Sequence, residues 1–283
     1  VVVVQAIPSV DASLTIERGA PPVAEYHVGT SLPAGVAPRP YLHPVRTRGG
    51  TVVTELMPPS HRHHLGAGIA VPEVDGANFW GGRTFVPGHG PVWLDNHGTQ
   101  LHTDWLAVEP DAFAHSLSWV GTDGTALLTE RRRIAARPLT ASAWALDVAF
   151  ALTNAAGRTV TLRSPAVLGR DGAGYGGLFW RAPAPARAFG PAGDRITELH
   201  GTPAPWLALA GPAWTLVFAG ADAVTRADPW FVRVRDYAGV GSALAWRAPL
   251  TLAPAATAAR RFTVVVADGE LSPGEAATLS GAA

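Results

Sequence analysis

Seven of the ten histidines in this chain, at positions 43, 61, 63, 64, 89, 97 and 102, fall between Arg39 and Trp105. The densest group is Ser60-His61-Arg62-His63-His64. A free imidazole titrates near 6.5, so around neutral pH it can donate, accept or carry charge. Two charged imidazoles about 4 Å apart repel by roughly 4 kcal/mol at an effective dielectric near 20. Packed together, most must stay neutral, or something negative or metallic must lie among them. In an extended chain His61 and His63 share a face, while His64 turns away. Three readings stay open: a solvated polar loop, a substrate-binding or acid–base group, and a metal site helped by Asp95 or Asp104. No acid stands between His64 and Glu73, so the His-x-His-then-Glu layout of cupins is missing. A divalent metal is possible and no cofactor is required.

A second group, Asn78-Phe79-Trp80-Gly81-Gly82-Arg83, joins an aromatic plate to glycine and a guanidinium fork. Such a set suits polyols, whose ring faces stack on Trp while hydroxyls meet Arg and Asn; a core Trp beside a turn is the alternative. Arg131-Arg132-Arg133 reads as a solvated strand edge rather than a phosphate site.

Composition limits the remaining chemistry. There is no cysteine, which excludes thiol catalysis, disulfides and Cys-ligated metals. There is no lysine either, all 22 basic residues being arginine, which excludes Schiff-base chemistry and the Walker lysine. Twenty-two acids balance the arginines, so the footprint of a nucleic-acid binder is missing. No apolar run approaches the roughly 18 residues of a membrane span. The opening Val1-Val2-Val3-Val4 lacks the basic start of a secretory leader, and a cytoplasmic location is expected.

Gly and Pro, 31 and 25 in number, are spread along the chain and suit many short strands joined by turns. Strands are expected over 12–17, 23–28, 52–56, 66–71, 113–120, 125–134, 144–153, 158–166, 206–210, 214–219, 231–235, 244–248 and 260–267. Hairpins are expected about Asp123-Gly124, Asn154–Gly157 and Gly211-Pro212. Residues 31–44 and 81–98 read as long loops. One helix is expected over 272–279, where Ser272-Pro273 and Glu275 form a capping box. Strand follows strand with no room for crossover helices and no fixed repeat. The fold class is all-β: a large antiparallel β-sandwich with little helix, in a single domain over residues 1–283.

His97-Gly98 followed by Trp105 resembles the His-Gly-x-x-Arg-x-x-x-Trp signature of the aldose epimerases (galactose mutarotases), with Leu101 in the arginine slot. Leu152-Thr153-Asn154 leading to Gly169-Arg170-Asp171, and Leu250–Pro254 before the last strand, are further similarities. That resemblance implies a galactose mutarotase-like supersandwich, a histidine in a sugar site and a carboxylate base, for which Asp236 is the nearest acid. The family's second catalytic histidine has no counterpart near Arg170.

Arg39–Pro44, Gly50–Thr54, the histidine cluster, Asn78–Gly82, His97-Gly98 and Pro229–Arg233 together resemble the bacterial PmoA family. That name comes from a methane monooxygenase subunit that lies in a membrane, so methane oxidation does not suit a chain without a span. The resemblance implies bacterial sugar catabolism and a functional link to a sugar dehydrogenase.

The expected function is therefore acid–base chemistry on a small-molecule carbohydrate, either a sugar or an oxidised (keto) sugar or glycoside, by an epimerase, lyase or hydrolase. His63, His97 and Asp236 are the expected catalytic residues. Arg39, His43, His61, His64, Trp80, Arg83 and His102 are expected to hold substrate, and no residue is assigned to metal. A non-catalytic sugar-binding or regulatory protein is the second reading, and a metal-dependent lyase or oxygenase the third. No nucleic acid or membrane partner is expected.

Overall fold

The computed structural model describes residues 11–17 and 20–281, and its regular structure is almost all strand. In chain order come β1 (Ala12–Leu14), β2 (Ala24–His27), β3 (Tyr41–Val45), β4 (Ala67–Ala70), β5 (Glu73–Val74), β6 (Thr84–Val86), β7 (Gly90–Val92), β8 (Thr99–Val108), β9 (Ala112–Val120) and β10 (Ala126–Pro138). The second half adds β11 (Ala143–Asn154), β12 (Val160–Arg163), β13 (Gly177–Ala182), β14 (Arg187–Phe189), β15 (Trp206–Gly211), β16 (Trp214–Gly220), β17 (Trp230–Arg233), β18 (Ala238–Ser242), β19 (Leu250–Leu252) and β20 (Thr257–Asp268). Among the described residues three short α-helices are α1 (Ile196–Leu199), α2 (Ala223–Arg226) and α3 (Pro273–Leu279), with one 3-10 turn at Ala34–Val36.

Two large sheets pack face to face. A 7-stranded sheet runs β1-β2-β3-β4-β13-β18-β17, and an 8-stranded sheet runs β14-β15-β16-β20-β11-β10-β9-β8. Their ladders are antiparallel. Smaller sheets of β19-β12-β5 and β6-β7 lie beside them. Strand alternation explains the packing. Leu178 and Trp180 of β13 and Trp230 and Val232 of β17 point inward, and share one core with Ile134 of β10, Leu146 and Val148 of β11 and Val264 of β20. Trp180 meets Phe218 of β16 edge-on, with 5.8 Å between ring centroids. Each such side chain, fully buried, contributes about 1.5–3 kcal/mol. The protein is an all-β antiparallel sandwich.

The hairpins about Asp123-Gly124 (β9–β10) and Gly211-Pro212 (β15–β16) form as expected. So does the capping box: the Ser272 hydroxyl accepts from the Glu275 amide, and the Glu275 carboxylate accepts from the Ser272 amide.

Several expectations are corrected. β11 and β12 do not pair as a hairpin, because β12 joins β5 and β19 in a separate sheet. Residues 52–56 make only isolated bridges at Val52 and Leu56, and 244–248 form a turn. The strand lies earlier, at β18, and was not expected; its Gly239 and Gly241 hide it from a reading based on strand-forming side chains. The 31–44 segment contains the start of β3, and the 81–98 loop holds the β6–β7 hairpin. β10 is no edge, since it lies between β9 and β11. Arg131 and Arg133 face out, whereas Arg132 points into the core and pairs with buried Glu130 at 2.6 Å. A bulge near Ala126 and Leu128 shifts the alternation and buries both Leu127 and Leu128.

Candidate functional site

The same alternation that fills the core decorates the outer face of the 7-stranded sheet. Phe179 of β13 and Phe231 of β17 each lie opposite Gly241 of β18, so a row reads Phe-Gly-Phe across three strands. The next outward row reads Arg181-Gly239-Arg233. Glycine in the middle strand gives the large neighbours room: a Cβ on Gly239 would stand 2.9 Å from the Tyr237 ring. Ala70, Trp80, Phe179 and Phe231 form a small apolar cluster there, flanked by Tyr175, Tyr237 and Trp246. This aromatic layer is the floor of a cavity of about 850 Å³.

One wall is the histidine loop. It is closed by the Leu56–Leu65 bridge and by Met57 N–H donating to the His64 carbonyl at 2.8 Å. Inside it are two consecutive turns, with His61 N–H on the Pro58 carbonyl and His64 N–H on the His61 carbonyl, both 2.9 Å. The cluster is therefore not extended, and His64 does not turn away from its neighbours. His61 and His64 stack at 4.7 Å, His63 meets His64 edge-on at 4.7 Å, and His61 lies 5.9 Å from His63.

The opposite wall is the turn after Asn78. The Asn78 side-chain oxygen accepts from the amides of Trp80 and Gly81, each at 2.8 Å, an Asx turn. Gly82 has φ +68°, and a Cβ there would come 2.7 Å from the His63 ring. Glycine in this turn thus supplies clearance for an imidazole. Trp93, which follows β7, stands exposed at the rim with its ring over Gly35.

Burial is the main force on the imidazoles, holding each in its neutral form. His63 is pushed down to about 3, first by burial and then by Arg39 and its histidine neighbours. His64 lies well below its usual range, again through burial first and then His63. His61 is lowered by burial and by Arg181, while Asp236 and Glu55 oppose the shift. Its Nδ1 is 3.0 Å from the Ser60 hydroxyl. Burial also pushes the Tyr237 phenol up to about 12.

Six expected site residues line this cavity together: His61, His63, His64, Trp80, Arg83 and Asp236. Asp236 arrives from the turn between β17 and β18, some 170 residues away in sequence from the histidines. Four others do not line it. Arg39 is buried behind the wall, where its guanidinium donates to the carbonyls of Val36 (2.7 Å), Ala37 (3.0 Å) and His63 (2.7 Å); it positions the histidine loop. His97 donates from Nε2 to the Gly82 carbonyl at 2.7 Å, so it props the glycine turn. His43 sits on β3 with its Nδ1 2.9 Å from the Thr54 hydroxyl. His102, on edge strand β8, pairs with His115 at 3.0 Å and packs on Trp105. Sequence proximity misled here, because His43 stands on β3 of the 7-stranded sheet and His102 on β8 at the edge of the 8-stranded one.

Arg170, Tyr175, Phe231, Arg233 and Tyr237 also line the cavity and were not singled out as site residues. A signal for part of this set existed. Phe179-Trp180-Arg181 and Phe231-Val232-Arg233 repeat Phe-x-Arg, which period-two geometry puts on one face. Among the described residues no group of three or more His, Asp or Glu is arranged to hold a metal ion. Neither Asp95 nor Asp104 lines the cavity.

Fold and site together define an all-β sandwich with an aromatic-floored cavity on the outer face of one sheet, walled by neutral imidazoles. Residues 13–280 match the family of unknown function DUF6807, and the chain belongs to that family. No match is found among curated proteins. No helix of the described residues is long and apolar enough to cross a membrane.

Proposed function

We propose that the cavity binds a carbohydrate and carries out acid–base chemistry on it, on a sugar or a keto-sugar whose carbonyl a separate dehydrogenase would have introduced. The observation behind this reading is convergence. Three neutral imidazoles, the Asp236 carboxylate and an aromatic floor share one cavity of about 850 Å³, within the range of small-molecule sites. Trp80 and exposed Trp93 offer ring faces for stacking, and neutral imidazoles both donate to and accept from hydroxyls.

His61 and Asp236 are the proposed proton-transferring pair. His61 is less buried than His63 and His64, and the Asp236 charge favours its protonated form. His63, held down to about 3, is a weak base and serves as a hydrogen-bonding group. His97 acts through Gly82 as a positioning residue. This assignment moves proton transfer away from the His63–His97 pair expected from the sequence.

Turnover on a panel of sugars and keto-glycosides tests the reading, comparing wild type with His61→Ala and Asp236→Asn. General acid–base groups typically contribute 10²–10⁴-fold, so kcat should fall by about 100-fold or more in each. Full activity in both variants would remove them from the mechanism.

A second reading, sugar binding without turnover, is favoured by one feature. Arg170 lines the cavity in the segment where the mutarotase resemblance calls for a catalytic histidine. Calorimetry showing sugar affinity with no product from any panel member would select it.

A further inference from the structure

The charge around the cavity is out of step with the rest of the protein. The chain balances 22 arginines against 22 acids, yet the cavity lining holds four arginines, Arg62, Arg83, Arg170 and Arg233, against the single carboxylate of Asp236. Nine arginines elsewhere form ion pairs with carboxylates. None of these four does, among the described residues.

Ordinary solvation could account for Arg62, Arg83 and Arg170, which are exposed. It does not account for Arg233. That side chain is half-buried and held by groups without negative charge: it donates to the carbonyls of Gly172 at 3.2 Å and Val232 at 3.1 Å, lies 3.4 Å from His200 Nδ1, and sets its guanidinium 4.6 Å from the Phe231 ring centroid. Behind the histidine loop Arg39 is 4% exposed and bound only to carbonyls. Burial brings it down to about 9, which leaves it positive at neutral pH. The cavity is thus flanked by held cations that form no ion pair among the described residues. His64, which lines the cavity, is 2% exposed and has an Nδ1 without a hydrogen-bond partner.

Buried or half-buried charge without a counter-ion is costly, and a ligand of opposite sign removes that cost. From the lining charge and the absence of ion pairs we infer that the natural ligand carries a negatively charged group, a carboxylate or a phosphate, received by Arg233 and Arg170 with Arg62 and Arg83 at the mouth. This rests on the carbohydrate reading for the rest of the ligand and narrows it to sugar acids or sugar phosphates. A guanidinium fork recognises either group by paired N–H donors.

Calorimetry at fixed low salt with matched ligands tests the inference: glucose and galactose, glucuronate and galacturonate, glucose 6-phosphate, and the non-sugar anions acetate and inorganic phosphate. At least one charged sugar should bind tenfold or more tighter than its neutral counterpart. Uronate preference would identify a carboxylate, and sugar-phosphate preference a phosphate. Arg170→Gln should erase most of that preference, while Arg137→Gln, on the far sheet, should keep it. Neutral sugars binding as tightly as charged ones would overturn the inference and leave the carbohydrate reading standing. Acetate or phosphate binding as tightly as the sugar anions, with sensitivity to Arg170→Gln, would uphold the anion site and overturn the carbohydrate reading. No binding by any ligand in the panel would overturn both.

Discussion

His43, His63 and His115 are each depressed mainly by burial, to about 4, about 3 and about 2 from an ordinary 6.5. Neighbouring arginines add to the effect: Arg46 at His43, Arg39 at His63 and Arg132 at His115. Between about 4 and 6.5 the unfolded chain therefore binds protons on these residues that the folded chain does not. Stability is fully present above 6.5 and falls as pH drops toward 4. Urea unfolding at pH 7.5 and pH 5 should show a clearly lower midpoint at pH 5, and His43→Gln should flatten the profile by removing one of the responsible groups. A pH-independent midpoint would contradict the neutral assignment. The sequence made this neutrality legible, since crowded imidazoles cannot all be charged. It did not say which rings crowd together: His115, the most depressed of the three, lies outside the histidine-rich window.

Two short elements decide the site's geometry. One is the pair of turns over 58–64 and the other the Asx turn from Asn78, and they touch where Gly81 and Gly82 meet His63. In Gly82→Ala the new Cβ would collide with the His63 ring and the backbone would stay at a positive φ, at a cost of about 1–3 kcal/mol. The expected outcome is lower thermal stability together with weakened ligand affinity. Gly88→Ala, at a comparable φ of +76° but with nothing within 4 Å of a Cβ, should lose stability only and leave affinity unchanged. The composition of both segments pointed to a site. Their conformations did not follow, because an isolated polar stretch is compatible with extended chain until the Met57–His64 hydrogen bond closes the loop.

Across the whole molecule, a buried polar bridge ties the sheets together. Arg132 of β10 binds both oxygens of Glu130 (2.6 and 2.8 Å), the Tyr26 hydroxyl on β2 of the other sheet (3.1 Å) and Gln100 on β8 (3.0 Å). Trp119 donates to Glu130 at 2.8 Å, and Gln100 reaches the Ile69 carbonyl on β4 at 2.9 Å. Both charged side chains are almost wholly buried, so removing one strands the other. Glu130→Gln should destabilise by about 3–5 kcal/mol in denaturant titration. The Glu130→Leu/Arg132→Met double variant should lose much less than the sum of its single variants, and additive losses would show that the pair is not coupled.

What the sequence determined by itself was what local pattern can carry: an all-β chain, two of its hairpins, the capped C-terminal helix, and a chemistry restricted to imidazole, carboxylate, hydroxyl and guanidinium by the lack of cysteine and lysine. It also picked out six residues that share the cavity, Asp236 among them. Tertiary structure alone decided the rest. Which strands are neighbours sets which outward side chains form rows, and the Phe-Gly-Phe and Arg-Gly-Arg rows join strands far apart in the chain. Pairing also turned Arg132 inward to a buried partner and sent His43 and His102 away from the cavity. Spacing along a strand fixes only the face on which a side chain stands; the residues beside it are fixed by hydrogen-bond register between distant segments.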